Sequence, residues 1–308
     1  MTPFISICIP TYKRTHLLKK LLDSIRIQTF KDVEILVNDN SPDDSVEGLL
    51  SNYPDLNIQY VKNEPVVSAV ENGIKVMQRA KGEWIKLVHD DDWFATPDAL
   101  NHFADAAKIS GKDFIFSAFT YVELETRKEE YHHLSGEHAT MLNESVQSLF
   151  YLNVIGHPSV VMHKNYPGIE YDPSFNWVLD IDFYMRYLDR HPGYHYIDER
   201  LVNIGKGPTQ ESYKYYKNST VEIPEYFRLL EKYDPSLSVK NKYVFWLVWN
   251  MVKRYKIKNE ADVRKLGYDG AMPAALQRVI QCQKNIPGLV LKQTPWSKKL
   301  MERCFKSF

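Results

Sequence analysis

The chain has 308 residues, of which 44% are hydrophobic and 25% charged, an ordinary composition for a globular protein with a sizeable core. Its formal net charge is zero, so no overall field draws the molecule to nucleic acid, and we expect no nucleic-acid partner. No stretch approaches the roughly 18 apolar residues that span a bilayer, and Thr11–Arg14 interrupts the first apolar run too early for a signal peptide.

The first half of the chain alternates short apolar runs with helical patterns. Strands are predicted at Ile5–Pro10, Val33–Val37, Ile58–Val61, Trp84–Val88 and Phe114–Phe119, and helices at Leu17–Gln28, Ser45–Leu50, Val70–Ala80 and Asp98–Lys108. Strands that alternate with helices predict an α/β fold with a parallel, doubly wound sheet. Such sheets bind ligands at the carboxyl ends of their strands, which is where we look for function.

The second half of the chain is less regular. Glu123–His138 is charged and predicts an excursion or a ribbon, and Val160–Met162 predicts a return to the sheet. Val178–Leu188 predicts a helix, and beyond about Tyr215 the pattern is helical without a further strand signal. The sequence therefore predicts a helical C-terminal region.

This C-terminal region is basic. From Lys240 to Phe308 the chain has 15 Lys and Arg against 4 Asp and Glu. Such an asymmetry indicates an anionic partner, either lipid headgroups or phosphates. Trp296–Phe308 is basic and aromatic and fits peripheral membrane contact, whereas the aromatic run Tyr243–Val252 is better explained as a helix packed inside the protein.

Cysteine usage is sparse. Cys8, Cys282 and Cys304 show no metal-ligand spacing, which indicates free thiols in a reducing compartment. We therefore expect a cytoplasmic protein, with the inner face of the plasma membrane as the surface that a basic C-terminal region would contact.

Three adjacent carboxylates, Asp90, Asp91 and Asp92, directly follow the predicted strand Trp84–Val88. They repel one another, so a bound cation would relieve the cluster. Hard divalent ions such as Mg²⁺ or Mn²⁺ prefer oxygen ligands. The alternative is an exposed loop or a helix cap, but Asp98 is better placed to cap the next helix.

Two residues on neighbouring loops suit a nucleotide base. Asp39 follows the second predicted strand, where its carboxylate would accept the imide N–H of a uracil or thymine ring. Taken alone, Asp39 is better explained by a turn-forming role within Asn38–Pro42. Tyr12 follows the first strand and would stack on a base, although an isolated loop tyrosine is common.

Three ordered motifs extend these observations over residues 1–120: SICIPTYKR at Ser6–Arg14, LDSIRIQTFKDVEILVNDNS at Leu22–Ser41, and AKGEWIKLVHDDDW at Ala80–Trp93. With them the sequence resembles the inverting glycosyltransferases of family 2. The resemblance implies a GT-A fold, which is a Rossmann-like, mostly parallel sheet, here with a helical C-terminal extension. It also implies transfer of a sugar from a nucleotide-sugar donor, with UDP-sugars favoured, to a glycan or lipid-linked acceptor in cell-surface glycan synthesis.

The resemblance also implies roles for individual residues. The donor-binding set is Pro10, Thr11, Tyr12, Arg14, Asp39, Asn72, Asp90, Asp91 and Lys206. Within it, Asp39 would hold the base, Asp90 would lie near the ribose, and Asp91 would bind the Mg²⁺ or Mn²⁺ that bridges the diphosphate. Lys206 lies in Gly205–Gln210, which is either a lid over the diphosphate or a simple turn.

For the acceptor side, Leu179–Arg186 resembles the family's helix with the catalytic base, which would be Asp180. From the residues alone, a carboxylate at a helix start is more often a cap, and Asp182 competes for either role. Trp93, His157 and Trp177 are candidates to line the acceptor pocket.

Departures from the family pattern are Asn38, His89 and Leu179, each in place of a common acidic residue. We expect a catalytic domain at residues 1–215, with donor and acceptor halves meeting near residue 120, and a helical, basic region at 216–308. A sugar-1-phosphate nucleotidyltransferase is disfavoured because no glycine-rich loop follows the first strand. A non-catalytic nucleotide-sugar-binding protein is the other alternative, and Asp180 with the intact acidic triplet argues against it.

Overall fold

The computed structural model describes residues 2–207, 210, 215–284, 286, 290–291 and 294–307. The strands in this part of the chain are β1 (Ile5–Thr11), β2 (Val33–Asp39), β3 (Ile58–Lys62), β4 (Trp84–Leu87), β5 (Asp92–Phe94), β6 (Phe114–Glu123), β7 (Glu129–His132), β8 (Val161–Lys164) and β9 (His195–Lys206). The helices are α1 (Thr15–Arg26), α2 (Ser45–Leu50), α3 (Ala69–Gln78), α4 (Ala99–Ile109), α5 (Gly136–Glu144), α6 (Leu179–Arg190), α7 (Ser219–Tyr233), α8 (Leu237–Lys240), α9 (Lys242–Tyr255), α10 (Glu260–Lys265), α11 (Leu276–Lys284) and α12 (Thr294–Phe305). Short 3₁₀ helices lie at Val146–Phe150 and Pro158–Val160.

The predicted parallel sheet is present. Its strands run in the order β3-β2-β1-β4, and every neighbouring pair in this part is parallel. Strand β1 is buried along almost its whole length because α1 and α3 pack against the sheet, as expected for a central parallel strand. In the register, Cys8 lies between Leu36 of β2 and Leu87 of β4, so the ends of these three strands reach the same rim. The predicted α/β class is confirmed.

The sheet continues beyond β4 as β8-β6-β9-β5, a half that the sequence predicted only in part. The predicted ribbon is the β6–β7 hairpin, and β8 is the predicted return to the sheet. Strand β9 was missed because charged, exposed Asp198, Glu199 and Arg200 break its apolar pattern. These residues lie where β9 shifts register against β6, since Ile197 pairs with Ser117 but Arg200 pairs with Ala118.

The chain divides into two compact units. The first comprises Met1–Ala139, Ile155–Pro173 and Arg186–Thr209, and contains the sheet. The second comprises Thr140–Val154, Ser174–Met185 and Gln210–Phe308. Residues 140–154 and 174–185 thus group with the C-terminal helices, whereas the sequence placed them within a domain ending near residue 215.

Within the second unit, α9 is a packed helix. Phe245 and Trp249 of this helix are buried, in agreement with the interpretation of Tyr243–Val252 as an internal helix. The expectation of free thiols is wrong for two of the three cysteines, because Cys282 and Cys304 form a disulfide between α11 and α12, while Cys8 is free and buried. No helix among the described residues has both the length and the apolar character needed to cross a membrane.

Candidate active site

The loops that follow β1, β2 and β4 meet at one rim of the sheet. The Thr11 hydroxyl donates to Asp90 Oδ2 at 2.8 Å, which joins the ends of β1 and β4. The backbone N–H of Lys13 donates to Ser41 Oγ, also at 2.8 Å, which joins the loops after β1 and β2. Residues up to about 80 positions apart in sequence are therefore brought together, as the parallel topology requires.

The acidic triplet does not act as one group. His89, Asp91 and Asp92 each offer a ligand atom, and these atoms all lie within 4.8 Å of one another. Asp92 begins β5, and its Oδ1 accepts the backbone N–H of Gly205 at 3.1 Å, so the strand pair β5–β9 fixes its direction. We call His89, Asp91 and Asp92 the metal cluster. The sequence proposed only Asp91 as a ligand.

Gly205 lies very close to this cluster. A Cβ atom at this position would lie 2.3 Å from the Asp91 carbonyl oxygen, so the close approach of the two chains needs glycine here. Gly205 and Lys206 end strand β9 instead of forming the proposed lid, and Pro208 and Thr209 of that segment lie outside the described residues.

Asp90 is not part of the metal cluster and pairs with Arg14. The Arg14 guanidinium binds Asp90 Oδ1 and also Asp91 Oδ2, the second contact at 2.8 Å. Asp90 Oδ2 further accepts the Tyr12 backbone N–H at 3.3 Å. Arg14, proposed as a donor contact, thus holds two carboxylates in place, and Asp90 organises the loop after β1.

The electrostatics of the cluster favour a bound cation. Burial raises the pKa of Asp92 well above its ordinary value, and the adjacent Asp91 raises it further. Burial also raises the pKa of Asp90, although the Arg14 charge opposes this rise. One guanidinium is shared between Asp90 and Asp91, whereas within the described residues Asp92 forms no ion pair. A carboxylate-rich set with one imidazole therefore fits a divalent ion.

A short turn behind the cluster supports it. Ser159, in the 3₁₀ helix Pro158–Val160, accepts the His89 backbone N–H on its Oγ at 3.0 Å. Ser159 also lowers the pKa of Asp92 through a side-chain hydrogen bond. Sequence reasoning missed Ser159, because nothing local marks it. It also missed Lys86, which is fully buried in β4 and was hidden within an apolar strand pattern.

The base-binding candidates lie on the same rim. Tyr12 is 46% exposed, and Lys13 Nζ lies 4.9 Å from its ring centroid, so stacking of a base would use the other ring face. Asp39 is buried, and its Oδ1 accepts the Ser41 N–H at 2.7 Å while its Oδ2 accepts the Tyr60 hydroxyl at 3.0 Å. The turn-forming alternative for Asp39 is therefore present in the structure. A base contact would use a remaining carboxylate lone pair.

Asn72 does not face the rim as a ligand contact would. Its buried side-chain amide donates to the carbonyls of Thr11 and Asn38, both at 3.3 Å. Its Oδ1 accepts from Asn63 at 2.7 Å. Both amide hydrogens are used inside the protein, so Asn72 braces the ends of β1 and β2.

Near the metal cluster, three aromatic side chains and one lysine contact one another. These four residues, which we call the Tyr121 cluster, are Tyr121, His132, His157 and Lys206. The Tyr121 hydroxyl lies 2.8 Å from His157 Nε2, and Lys206 Nζ lies 3.5 Å from the Tyr121 ring centroid. Burial lowers the pKa of His157 to about 4, with a further contribution from neighbouring His89. His157 is thus a neutral group beside the metal cluster.

Trp93 takes a different direction. It follows Asp92 in β5, and side chains of successive strand residues point to opposite faces. Lys20 Nζ of α1 lies 3.0 Å from the Trp93 ring centroid, and burial lowers the pKa of Lys20 to about 8. One ring face is therefore covered, and the structure does not bring Trp93 to the Asp92 carboxylate.

In the second unit, the start of α6 distinguishes Asp180 from Asp182. Asp182 is fully buried and accepts a 2.8 Å hydrogen bond from Lys232 in an ion pair. Asp180 has no such partner among the described residues, and burial raises its pKa to about 7. The Asp182 carboxylate is thus committed to a structural ion pair, whereas that of Asp180 is not.

Glu225 of α7 holds the segment that leads into α6. Its carboxylate accepts the backbone N–H groups of Asn176, Trp177 and Val178, the second at 2.7 Å. This anchor fixes where α6 begins and therefore where Asp180 lies. The ring of Trp177, the remaining acceptor candidate, lies 6.3 Å from that of Tyr216.

Comparisons with known proteins show what this chain is similar to. The family model described as glycosyl transferase family 2 matches residues 6–165, which is more than half of the chain. An uncharacterised glycosyltransferase of Rickettsia typhi is 26% identical over 196 residues, covering 61% of this chain and 59% of the relative. The GalNAc(5)-diNAcBac-PP-undecaprenol beta-1,3-glucosyltransferase of Campylobacter jejuni is 35% identical over 94 residues, covering 29% of this chain and 30% of the relative. The chain therefore spans 59% of the first relative's length and 30% of the second's.

Solved structures share the fold. TarS 1–349 of S. aureus in complex with UDP-GlcNAc has a TM-score of 0.58 at 12% identity, with 91% of each chain covered. The mannosyltransferase PcManGT of Pyrobaculum calidifontis, in complex with GDP-Man and Mn²⁺, has a TM-score of 0.56 at 16% identity, with 99% of this chain and 86% of that chain covered.

Proposed function

This chain belongs to glycosyl transferase family 2, and we propose that it transfers a sugar from a nucleoside diphosphate donor to a hydroxyl acceptor, with inversion and with a divalent metal. The observation that carries the proposal is the metal cluster, which lies at the carboxyl ends of parallel strands beside an exposed aromatic ring. A diphosphate needs a cation, and a base needs a flat apolar surface. The metal cluster could hold the cation, and Tyr12 on the same rim could supply the flat surface.

His89, Asp91 and Asp92 would hold the metal. When bound, a divalent ion acts as a Lewis acid that neutralises the charge developing on the leaving diphosphate. Two carboxylates suit Mg²⁺ and Mn²⁺ alike, whereas an imidazole nitrogen is a better ligand for Mn²⁺. We therefore propose Mn²⁺ as the preferred ion, and the Mn²⁺ bound in the PcManGT complex supports this choice.

The donor's base would stack on Tyr12 and meet Asp39. Stacking is supported by the exposure of Tyr12, and a carboxylate that accepts a ring N–H suits uracil or thymine better than adenine or cytosine, whose corresponding ring nitrogen carries no hydrogen. We propose UDP-sugars as donors, and the TarS complex with UDP-GlcNAc supports that choice. Pro10 and Thr11 would form the floor of this loop, and Lys206 would lie on the diphosphate side.

Asp180 would act as the general base. It would take the proton of the acceptor hydroxyl as the oxygen attacks the anomeric carbon, while the bond to the donor's diphosphate breaks and inversion results. A carboxylate with a pKa raised to about 7 is a stronger base than an exposed aspartate, and it is still ionised in a large fraction of molecules at neutral pH. A positioned base contributes about 10²–10⁴-fold to the rate.

For the acceptor, we propose a glycan or lipid-linked hydroxyl, with His157 and Trp177 among the groups that contact it. The undecaprenol-linked acceptor in the name of the Campylobacter relative supports a role in cell-surface glycan assembly. We retain residues 1–215 as the catalytic part of the chain and 216–308 as an accessory part.

A two-stage experiment tests the proposal. Calorimetry would measure UDP and GDP binding with and without Mn²⁺, and we expect UDP to bind only when Mn²⁺ is present. Release of UDP from UDP-sugars would then be measured with and without candidate acceptors. Metal-dependent UDP binding without any turnover would indicate a sensor instead of an enzyme, and no binding of any nucleoside diphosphate would overturn the donor assignment.

A further inference from the structure

The last helix, α12, presents a basic and aromatic strip. Trp296, Lys299, Arg303 and Lys306 follow one another at three- and four-residue spacing, which places them on one side of the helix and its following turn. We call these four residues the α12 strip. All four are exposed, Trp296 by 59%. Within the described residues the three cations of the strip form no ion pair.

The opposite face of α12 is fixed to the second unit. Ser297 Oγ accepts the indole N–H of Trp249 at 3.3 Å, and the Phe305 ring lies 5.2 Å from that of Phe245 in α9. Cys304 adds the disulfide to Cys282 of α11. These contacts orient α12, so the α12 strip faces outwards and takes no part in this packing.

Neighbouring residues add positive charge to the strip. Arg278 of α11 donates a 3.0 Å hydrogen bond to Ser307 Oγ, which brings its guanidinium to the end of the strip. Lys298 is a further exposed cation on α12, whereas Glu302 is its one acidic residue and is half-buried. The surface is therefore strongly cationic with a large exposed indole at one end.

We propose that the α12 strip docks on an anionic lipid bilayer, with its cations against the headgroups and Trp296 in the interfacial region. Charge alone would suit any polyanion. An exposed tryptophan on the same helix face favours a bilayer, because indole partitions into the interface between headgroups and acyl chains. Lys299, Arg303 and Lys306 on the same helix face would attract the protein to the anionic lipid headgroups. This inference does not depend on the sugar transfer proposed above.

Sedimentation of the full chain with vesicles tests the proposal. We expect binding to vesicles of phosphatidylcholine with phosphatidylglycerol, and little binding to phosphatidylcholine alone. The triple variant Lys299→Glu, Arg303→Glu, Lys306→Glu should lower partitioning by about 100-fold or more. Trp296→Ala should lower it several-fold. The matched control Lys31→Glu, Lys75→Glu, Lys108→Glu changes the net charge equally at exposed sites of the first unit and should bind nearly as the wild type does.

A second measurement does not rely on the folding of any variant. Raising the salt concentration should release the wild-type chain from anionic vesicles, because headgroup attraction is screened. Equal binding to both vesicle types, or equal loss in the two triple variants, would overturn the proposal. The proposal would also be wrong if the wild-type protein bound a single-stranded RNA oligomer but did not bind the anionic vesicles.

Discussion

The ammonium group of Lys86 donates a hydrogen bond to the backbone carbonyl of Ser159, and neither residue is exposed to solvent. The same group donates to the Val161 carbonyl at 3.1 Å. Ser159 in turn accepts the His89 backbone N–H. A lysine in the core of the sheet therefore fixes the turn against which one candidate metal ligand rests.

Replacement of Lys86 should weaken metal binding. Lys86→Met keeps the apolar stem but leaves two buried carbonyls without their donor, at a cost of about 1–3 kcal/mol each. We expect the turn at Ser159 to shift and the Kd for Mn²⁺ to rise by roughly 10-fold, as for other residues that support metal ligands. Calorimetry would measure this change. Ile7→Val, a core substitution in the same sheet, should leave the Kd unchanged. Unaltered Mn²⁺ affinity in a less stable Lys86→Met protein would assign Lys86 to the core alone.

The metal cluster should be essential for donor binding. Asp91→Asn and His89→Ala each remove a ligand, and we expect the Mn²⁺-dependent affinity for UDP to fall by more than about 100-fold, since even residues that only support ligands contribute about 10–100-fold. Treatment with EDTA should abolish transfer, and Mn²⁺ should restore it. Asp105→Asn, an exposed change on α4, is the matched control. Normal UDP binding by Asp91→Asn would remove Asp91 from the metal site.

Tyr12 should contribute to donor affinity through its ring. Stacking of a base on an aromatic side chain is worth about 1–3 kcal/mol, so Tyr12→Ala should raise the KM for the donor by roughly 5- to 150-fold. Because nearly half of Tyr12 is exposed and no described hydrogen bond uses its hydroxyl, the Tm should change little. Tyr12→Phe retains the ring and should behave as the wild type in the same kinetic assay. A KM for Tyr12→Ala equal to that of the wild type would exclude stacking.

Asp180 predicts a pH dependence of activity. If it is the general base, kcat should rise as pH increases through about 7, because the carboxylate must be ionised to accept a proton. Asp180→Asn should lower kcat by about 10²-fold or more and remove this limb of the pH profile. A pH–rate profile of the two proteins would measure both effects. If kcat of Asp180→Asn still rose with pH through about 7, the general base would be another residue.

The same residue predicts the opposite trend for stability. The raised pKa means that folding favours the protonated carboxyl, so stability is highest at low pH and falls as pH rises from about 4 towards 7. Asp180→Asn cannot ionise, so its Tm relative to that of the wild type should rise between about pH 4 and pH 7 and then level off. Asp182→Asn serves as a contrast, because it weakens the ion pair with Lys232 and should lower the Tm. Thermal unfolding at several pH values would measure the three proteins.

The Cys282–Cys304 disulfide should stabilise the C-terminal helices. It joins residues 22 positions apart, and closure of such a loop is worth about 3 kcal/mol. Cys282→Ser with Cys304→Ser should therefore lower the Tm, and a reducing agent should do the same to the wild type only. Mass spectrometry after thiol alkylation under denaturing conditions would count the free cysteines. Three alkylated thiols in the unreduced protein would contradict the pairing.

The local sequence determined the parallel half of the fold and its rim. The strand run at Ile5–Pro10, the acidic triplet and the position of Asp39 all follow from patterns of a few neighbouring residues. Side-chain periodicity and the parallel connection rule then bring strand ends together without further information. The family, the α/β class and the rim that holds the candidate site could therefore be predicted from the sequence.

The tertiary structure decided which atom of each motif faces which partner. Three consecutive aspartates look equivalent in the sequence, but Asp90 contacts Arg14, Asp91 contacts Arg14 and also belongs to the metal cluster, and Asp92 belongs to the metal cluster alone. The amide of Asn72 donates to the Thr11 carbonyl inside the protein because α3 packs against β1. Asp182 differs from Asp180 because Lys232, 50 positions later in the chain, forms an ion pair with Asp182. Such contacts depend on long-range packing, since a side chain's direction is set by the backbone that surrounds it in space and not by its neighbours in the chain.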